Sequence, residues 1–291
     1  MEKREIKSRT KGRLLVMGTA MLWGLSGVCT KSIAWGSLSI VCISSIISFF
    51  MMAISKKSIR LHVTKENLIG GLMLGLTNIL AISAIKLTTA GTAIVLQYVS
   101  PILVFLYEII FHHKKPKMWE VILTGLAFSG IVMSFADSMD MTRLLGNIIA
   151  LGSGFTVSAY VIIMNGNNSD SADCTALGNL QAFIITLGFM LTDSKLTFDR
   201  TNIIWVLIFS VVQCGLANIL FAKGCKLVSS IECSLLLTLE PILNPIYVFF
   251  VTGERMGKLA IVGAVVVIAA ATLYSIMPDL LEYRKSKQQL S

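Results

Sequence analysis

Charge is what this sequence has little of. Asp, Glu, Lys and Arg make up 14% of the 291 residues and apolar residues 55%, against about 25% and roughly 45–50% in ordinary soluble domains. A mean hydropathy of +0.77 over the whole length leaves no stretch that reads as a separate soluble domain, and one membrane architecture is expected throughout. No Gly-x-x-x-x-Gly-Lys-Ser/Thr run occurs, so nothing cradles phosphates and ATP hydrolysis by this chain is not expected. Gly152-Ser153-Gly154 lies within an apolar run and lacks the third glycine and the strand of a dinucleotide fold. His112-His113 has no spaced partner for zinc, so neither metal nor cofactor is expected. The six cysteines form no Cys-x-x-Cys pair and read as free, buried thiols. Alternating strand patterns are missing as well, which excludes a β-barrel.

What the chain does have is apolar runs of about 20 residues, the length that crosses a hydrocarbon core of about 30 Å as a helix. Ten can be marked, at 14–34, 36–55, 67–85, 91–111, 118–136, 143–164, 173–192, 202–222, 229–251 and 257–277. An N-terminal basic tail leads into the first, which is too long for a signal-peptide core and is expected to be retained. If the N-terminus is inside, the segments on its side of the membrane carry 18 of the 25 Lys and Arg residues. Both termini are therefore expected to be cytoplasmic in a multi-pass cell-membrane protein. The net charge of +9 is thereby placed against lipid headgroups, and no aromatic interleaving suggests nucleic acid.

The chain is written twice. Gly75 to Leu87 returns as Gly215 to Leu227 with seven of thirteen positions identical, Asn78/Asn218 and Lys86/Lys226 among them, and the same offset carries Pro101 onto Pro241 and Tyr107 onto Tyr247. Gly12 and Gly18 match Gly146 and Gly152 at a slightly shorter offset. The expected units are 1–140 and 141–291, each of five spans with a basic tail at the chain end. Five is odd, so the second copy enters the membrane from the opposite side. Inverted repeats with a substrate held at the midplane between them are a recurring transporter design. The fold class expected is an all-α integral membrane protein of ten transmembrane helices in two inverted five-helix repeats.

Met21-Leu22-Trp23-Gly24 in the first span, Gln97-Tyr98-Val99-Ser100-Pro101 in the fourth, and Leu239-Glu240-Pro241 followed by Gly253-Glu254-Arg255 resemble the EamA-type, ten-helix branch of the drug/metabolite transporter superfamily. The resemblance covers nearly the whole chain. It implies two five-helix repeats around a central cavity and the movement of amino acids, amines, carboxylates, nucleobases or drugs, often outward. The halves also differ, with Lys114 in place of Glu254 and Val157 in place of Trp23.

Three carboxylates fall within spans, where a charge costs about 2.5–3.5 kcal/mol near the centre. Glu108 and Glu232 lie near cytoplasmic ends and are expected to form local pairs with His112 and with Lys223 or Lys226. Glu240 is the deepest. Asn244 and Tyr247 follow it at i+4 and i+7, so all three can face one cavity, and Ser100 and Tyr107 occupy the matching stripe of the fourth span. Glu240 is either a packed, hydrogen-bonded acid or a carboxylate used for a substrate amine or for protons. Trp23, Gln97, Tyr98 and Tyr160 are candidate cavity-lining groups, although interfacial belts use the same residue types. Pro101 and Pro241 each remove a backbone hydrogen bond and either kink their helices beside the pathway or serve packing alone. Asn78 and Asn218 are expected chiefly to hold helices together.

The expected function is secondary-active export of amino acids or related amines by alternating access, with protons a candidate coupling ion and a homodimer a candidate assembly. A multidrug or other metabolite carrier is the alternative within transport, and a lipid scramblase or membrane sensor the alternative outside it.

Overall fold

The computed structural model describes residues 2–113, 115–137, 141–164, 171–224, 227–228, 233 and 236–289. Lys114, Lys226, Glu232 and Cys225 lie outside the described residues, and with them the expected pairing of Glu232. Among the described residues every regular element is helical. Nine helices among the described residues are long and apolar enough to cross a membrane: Arg9–Ser32, Ser37–Lys56, Lys65–Leu87, Ala90–Phe111, Met118–Asp137, Met141–Ile163, Ala172–Leu191, Arg200–Phe221 and Lys258–Met277. The shorter apolar helix Leu239–Thr252 is the described part of the ninth span, so Lys258–Met277 is the tenth.

Local chemistry fixes the ends of these helices. Thr64, Thr89 and Asp199 cap the third, fourth and eighth spans, each side-chain oxygen accepting from the backbone N–H three residues on at 3.0–3.2 Å, which satisfies donors the helix leaves open. Gly253 closes the ninth span at φ 72°, a left-handed conformation that glycine adopts without a Cβ clash. Asp193, after the seventh span, caps the second from a distance, accepting from Gly36 N at 2.9 Å and from Ser39 Oγ. Lys56, at the end of the second span, pairs with Asp173 at the start of the seventh. The second and seventh spans thus tie each other's ends in opposite directions, as an inverted pair must.

The same inversion appears wherever the halves touch. A Cβ on Gly12 would meet Leu227 Cβ at 2.6 Å, and one on Gly146 would meet Leu87 Cβ at 2.9 Å. One on Gly18 would find Leu220 Cδ1 at 3.6 Å, and one on Gly152 would find Leu80 Cδ1 at 3.7 Å. Each of these contacts is the other's counterpart under the repeat register, so the first span lies on the eighth as the sixth lies on the third. Glycine is also required where Gly71 and Gly178 bring the third and seventh spans together backbone to backbone, and where Gly130 and Gly263 do so for the fifth and tenth.

Among the described residues four spans depart from the uninterrupted helices expected: the first, the fourth, the eighth and, at Thr238, the ninth. The first breaks at Gly24-Leu25 between Glu2–Trp23 and Ser26–Ser32, and the fourth breaks at Tyr98 between Ala90–Gln97 and Val99–Phe111. Pro101 favours the second break, because it cannot donate to the Gln97 carbonyl; at the break Tyr98 N donates to Val95 O at 3.1 Å. The eighth span winds as a π-helix over Ile208–Leu216, whereas the corresponding third span stays α-helical over Lys65–Leu87. A π segment widens the turn, so the two halves are not copies in detail. Cys29, Cys42, Cys174 and Cys233 are buried and Cys214 is half-buried.

Candidate functional site

The breaks of the first and fourth spans and the start of the described ninth helix fall part-way along their spans, and Trp23, Gln97, Tyr98 and Glu240 stand at or beside them. Glu240 stands one residue before Pro241 and is half-buried. Among the described residues no hydrogen bond or ion pair holds its carboxylate. Tyr98, at the fourth-span break, is within electrostatic reach of it. Asn78 and Asn218, related by the repeat, are likewise half-buried in the third and eighth spans with no polar partner among the described residues. Trp23 closes the first helical segment and packs on Phe221 at 5.2 Å, and Gln97 is half-buried at the fourth-span break.

Other candidates sit elsewhere. Asn244 is fully buried, its Nδ2 donating to Gly24 O at 2.9 Å and to Ser26 Oγ at 3.1 Å. It pins the break in the first span rather than facing open space beside Glu240. Ser100 is buried, and its carbonyl accepts from Ser158 Oγ at 3.2 Å, which nails the sixth span to the fourth next to the Pro101 kink. Tyr107 stacks on Phe111 at 4.9 Å and meets His112 edge-on at 5.5 Å, at the far end of its span. Tyr247 packs against the apolar cluster that includes Val95, Leu96 and Val248. Tyr160 is half-buried in the sixth span, Pro101 is exposed and Pro241 buried.

On the face opposite the N-terminus a polar cluster closes the space between the spans. Lys31 Nζ pairs with Glu254 Oε2 at 2.8 Å and donates to Thr88 O at 2.7 Å, while Glu254 Oε1 accepts from Ala90 N at 2.7 Å. One carboxylate thus joins the first span, the N-terminus of the fourth and the turn after the ninth, where the helix dipole favours a negative charge. Below it every residue from Ala90 to Leu96 is buried, as are those from Gly27 to Thr30. A Cβ on Gly27 would strike Val248 Cγ2 at 2.6 Å and Ala90 Cβ at 2.8 Å, so the three spans touch without a gap. Beside this cluster Asp193 is held below the usual carboxylate range. Burial raises it, but hydrogen bonds from Ser39 and from the Lys195 and Gly36 backbone outweigh that effect.

A model described as the EamA-like transporter family matches residues 10–136 and, a second time, residues 144–276. The chain belongs to this family. It is accordingly a multi-pass membrane protein of transporter type, with a small-molecule substrate and a lipid environment. No curated protein matches it. A solved structure, described only as a crystal structure of a protein, superposes with a TM-score of 0.67 over 94% of this chain and 99% of its own at 14% identity. At that identity the likeness speaks for the fold alone.

Sequence reasoning passed over Lys31, which it counted only for topology, and Ser158, Gly27 and Pro245. A glycine two residues before a serine in mid-span, Gly24 and Ser26, was the available signal for the first-span break.

Proposed function

We propose that this protein is a secondary-active carrier that exports amino acids or related amines by alternating access. The reading rests on Glu240, a carboxylate at mid-span that no described side chain or backbone group satisfies. An ionised group there needs a cation or several donors to offset desolvation, so its partner is mobile: the substrate's ammonium in one half-cycle, a proton in the other. Tyr98 stands near that ammonium. Trp23 and Gln97, at the first- and fourth-span breaks, are assigned to the same site, with Asn78 and Asn218 offering amides to the polar remainder of the substrate. Asn244, Ser100, Pro101 and Pro241 shape the spans, while Tyr107, Tyr247 and Tyr160 are left outside the core of the site. The Lys31–Glu254 cluster holds one side shut while the other admits solute. Residues 1–140 and 141–291 act as the two rocking units, both termini are cytoplasmic, and the protein resides in the cell membrane.

Ligand-induced thermal stabilisation across amino acids, polyamines and nucleosides tests this directly. A shift with primary amines that disappears in Glu240→Gln supports the reading. Equal stabilisation of both proteins, or a shift only with solutes that carry no cation, contradicts it.

A further inference from the structure

Pro241 and Pro245 are four residues apart on the ninth span and share one of its faces. Opposite them the tenth span presents Ala264, Val265 and Ala269, and the small side chains leave a groove of about 760 Å³ between the two helices. That volume lies within the roughly 300–1,000 Å³ of small-molecule sites. Apart from Glu254 and Arg255 every residue lining the groove is apolar, and its walls belong to membrane spans, with Phe250 80% exposed. From Pro241 to Thr252 the helix rises about 17 Å at 1.5 Å per residue, compared with about 15 Å for one leaflet's half of the hydrocarbon core. The groove therefore runs the depth of one leaflet and opens sideways into it.

Its two charged residues lie at the mouth and are not equivalent. Glu254 is turned inward, both oxygens engaged by Lys31 Nζ and Ala90 N. Arg255 is exposed, its guanidinium 5.4 Å from the centre of the Phe249 ring on the groove wall. One cation is thus left at the membrane surface above a leaflet-deep apolar slot. We propose that this groove is a binding site for a single anionic phospholipid, with an acyl chain along the Pro241–Pro245 face and the phosphate on Arg255. A guanidinium pairs with phosphate through two parallel hydrogen bonds, whereas the apolar face of a second copy would leave it desolvated without a partner. The assignment does not depend on which solute is carried.

Native mass spectrometry of the purified full chain, exchanged between phosphatidylcholine and phosphatidylglycerol, tests the site. The expected result is one retained phosphatidylglycerol per chain, favoured about tenfold over phosphatidylcholine, with the preference falling to near unity in Arg255→Gln. Val265→Trp and Ala269→Leu place bulk at exposed positions in the groove, so each should fold, and each should lower retention of both lipids at least several-fold. An unchanged preference in Arg255→Gln overturns the proposal. So does a graded, unsaturable lipid population indifferent to the groove-filling variants, which would mark ordinary annular lipid. Loss of self-association in those variants with lipid retention unaltered would identify the groove as a contact between copies and overturn it equally.

Discussion

Glu240 and Asn244 are one helical turn apart, yet the surrounding chain treats them in opposite ways. Asn244 is fully buried and its amide nitrogen donates to Gly24 O and Ser26 Oγ at the first-span break. Glu240 has no hydrogen-bond or ion-pair partner among the described residues. Their substitutions should separate accordingly. Asn244→Ala strips the donor from the Gly24 carbonyl and should lower stability by about 1–3 kcal/mol, the cost of leaving a buried polar group unpaired, and a melting curve in detergent reads this. Glu240→Gln keeps shape and some hydrogen bonding, so it should melt within a few degrees of the parent while net transport is lost or no longer varies with pH. If Glu240→Gln unfolds and Asn244→Ala does not, the two assignments are reversed.

At the scale of whole elements, the spans were legible because lipid dictates them: about 20 apolar residues must be helical when no water is available to the backbone. Their interruptions were less so. Pro101 announces its kink through a missing N–H, but Gly24-Leu25 breaks a run that is apolar on both sides, and no proline announces the π segment at Ile208–Leu216. Lys31 could be counted for topology, yet its partner Glu254 is more than two hundred residues away, and only the fold joins them. Breaking that contact should loosen the face opposite the termini. In Lys31→Met or Glu254→Gln, a cysteine placed at Ala93, buried in the parent, should react several-fold faster with an impermeant thiol reagent added from that face. An unchanged rate would mean that apolar packing alone keeps it shut.

The cap supplied by Asp193 predicts a pH dependence. Its carboxyl is held below the ordinary value of 3.8, so its contribution to stability is full above about pH 4 and is lost as the pH falls through the depressed value. Melting temperatures of the parent and of Asp193→Asn should therefore differ at pH 6 and converge on acidification below pH 4. A gap that persists at the lowest pH would show that the carboxylate's charge does not matter there.

For the molecule as a whole, the paired contacts Gly12/Leu227 with Gly146/Leu87, and Gly18/Leu220 with Gly152/Leu80, describe two halves related by inversion that meet along equivalent seams. Such halves can rock against each other and exchange roles. In this structure the Lys31–Glu254 face is the closed one, so the solute path is expected to open toward the termini. If both termini are cytoplasmic, as the charge bias leads us to expect, that opening is where the proposed exporter would load. Flux of radiolabelled amines in sealed proteoliposomes, measured with and without a pH gradient for the parent and for Glu240→Gln, tests the central claim most directly. The account predicts saturable, gradient-driven flux for the parent and none, or flux indifferent to pH, for the variant. Lipid scrambling without solute flux, or Glu240→Gln carrying its solute with the parent's rate, affinity and pH profile, would contradict it.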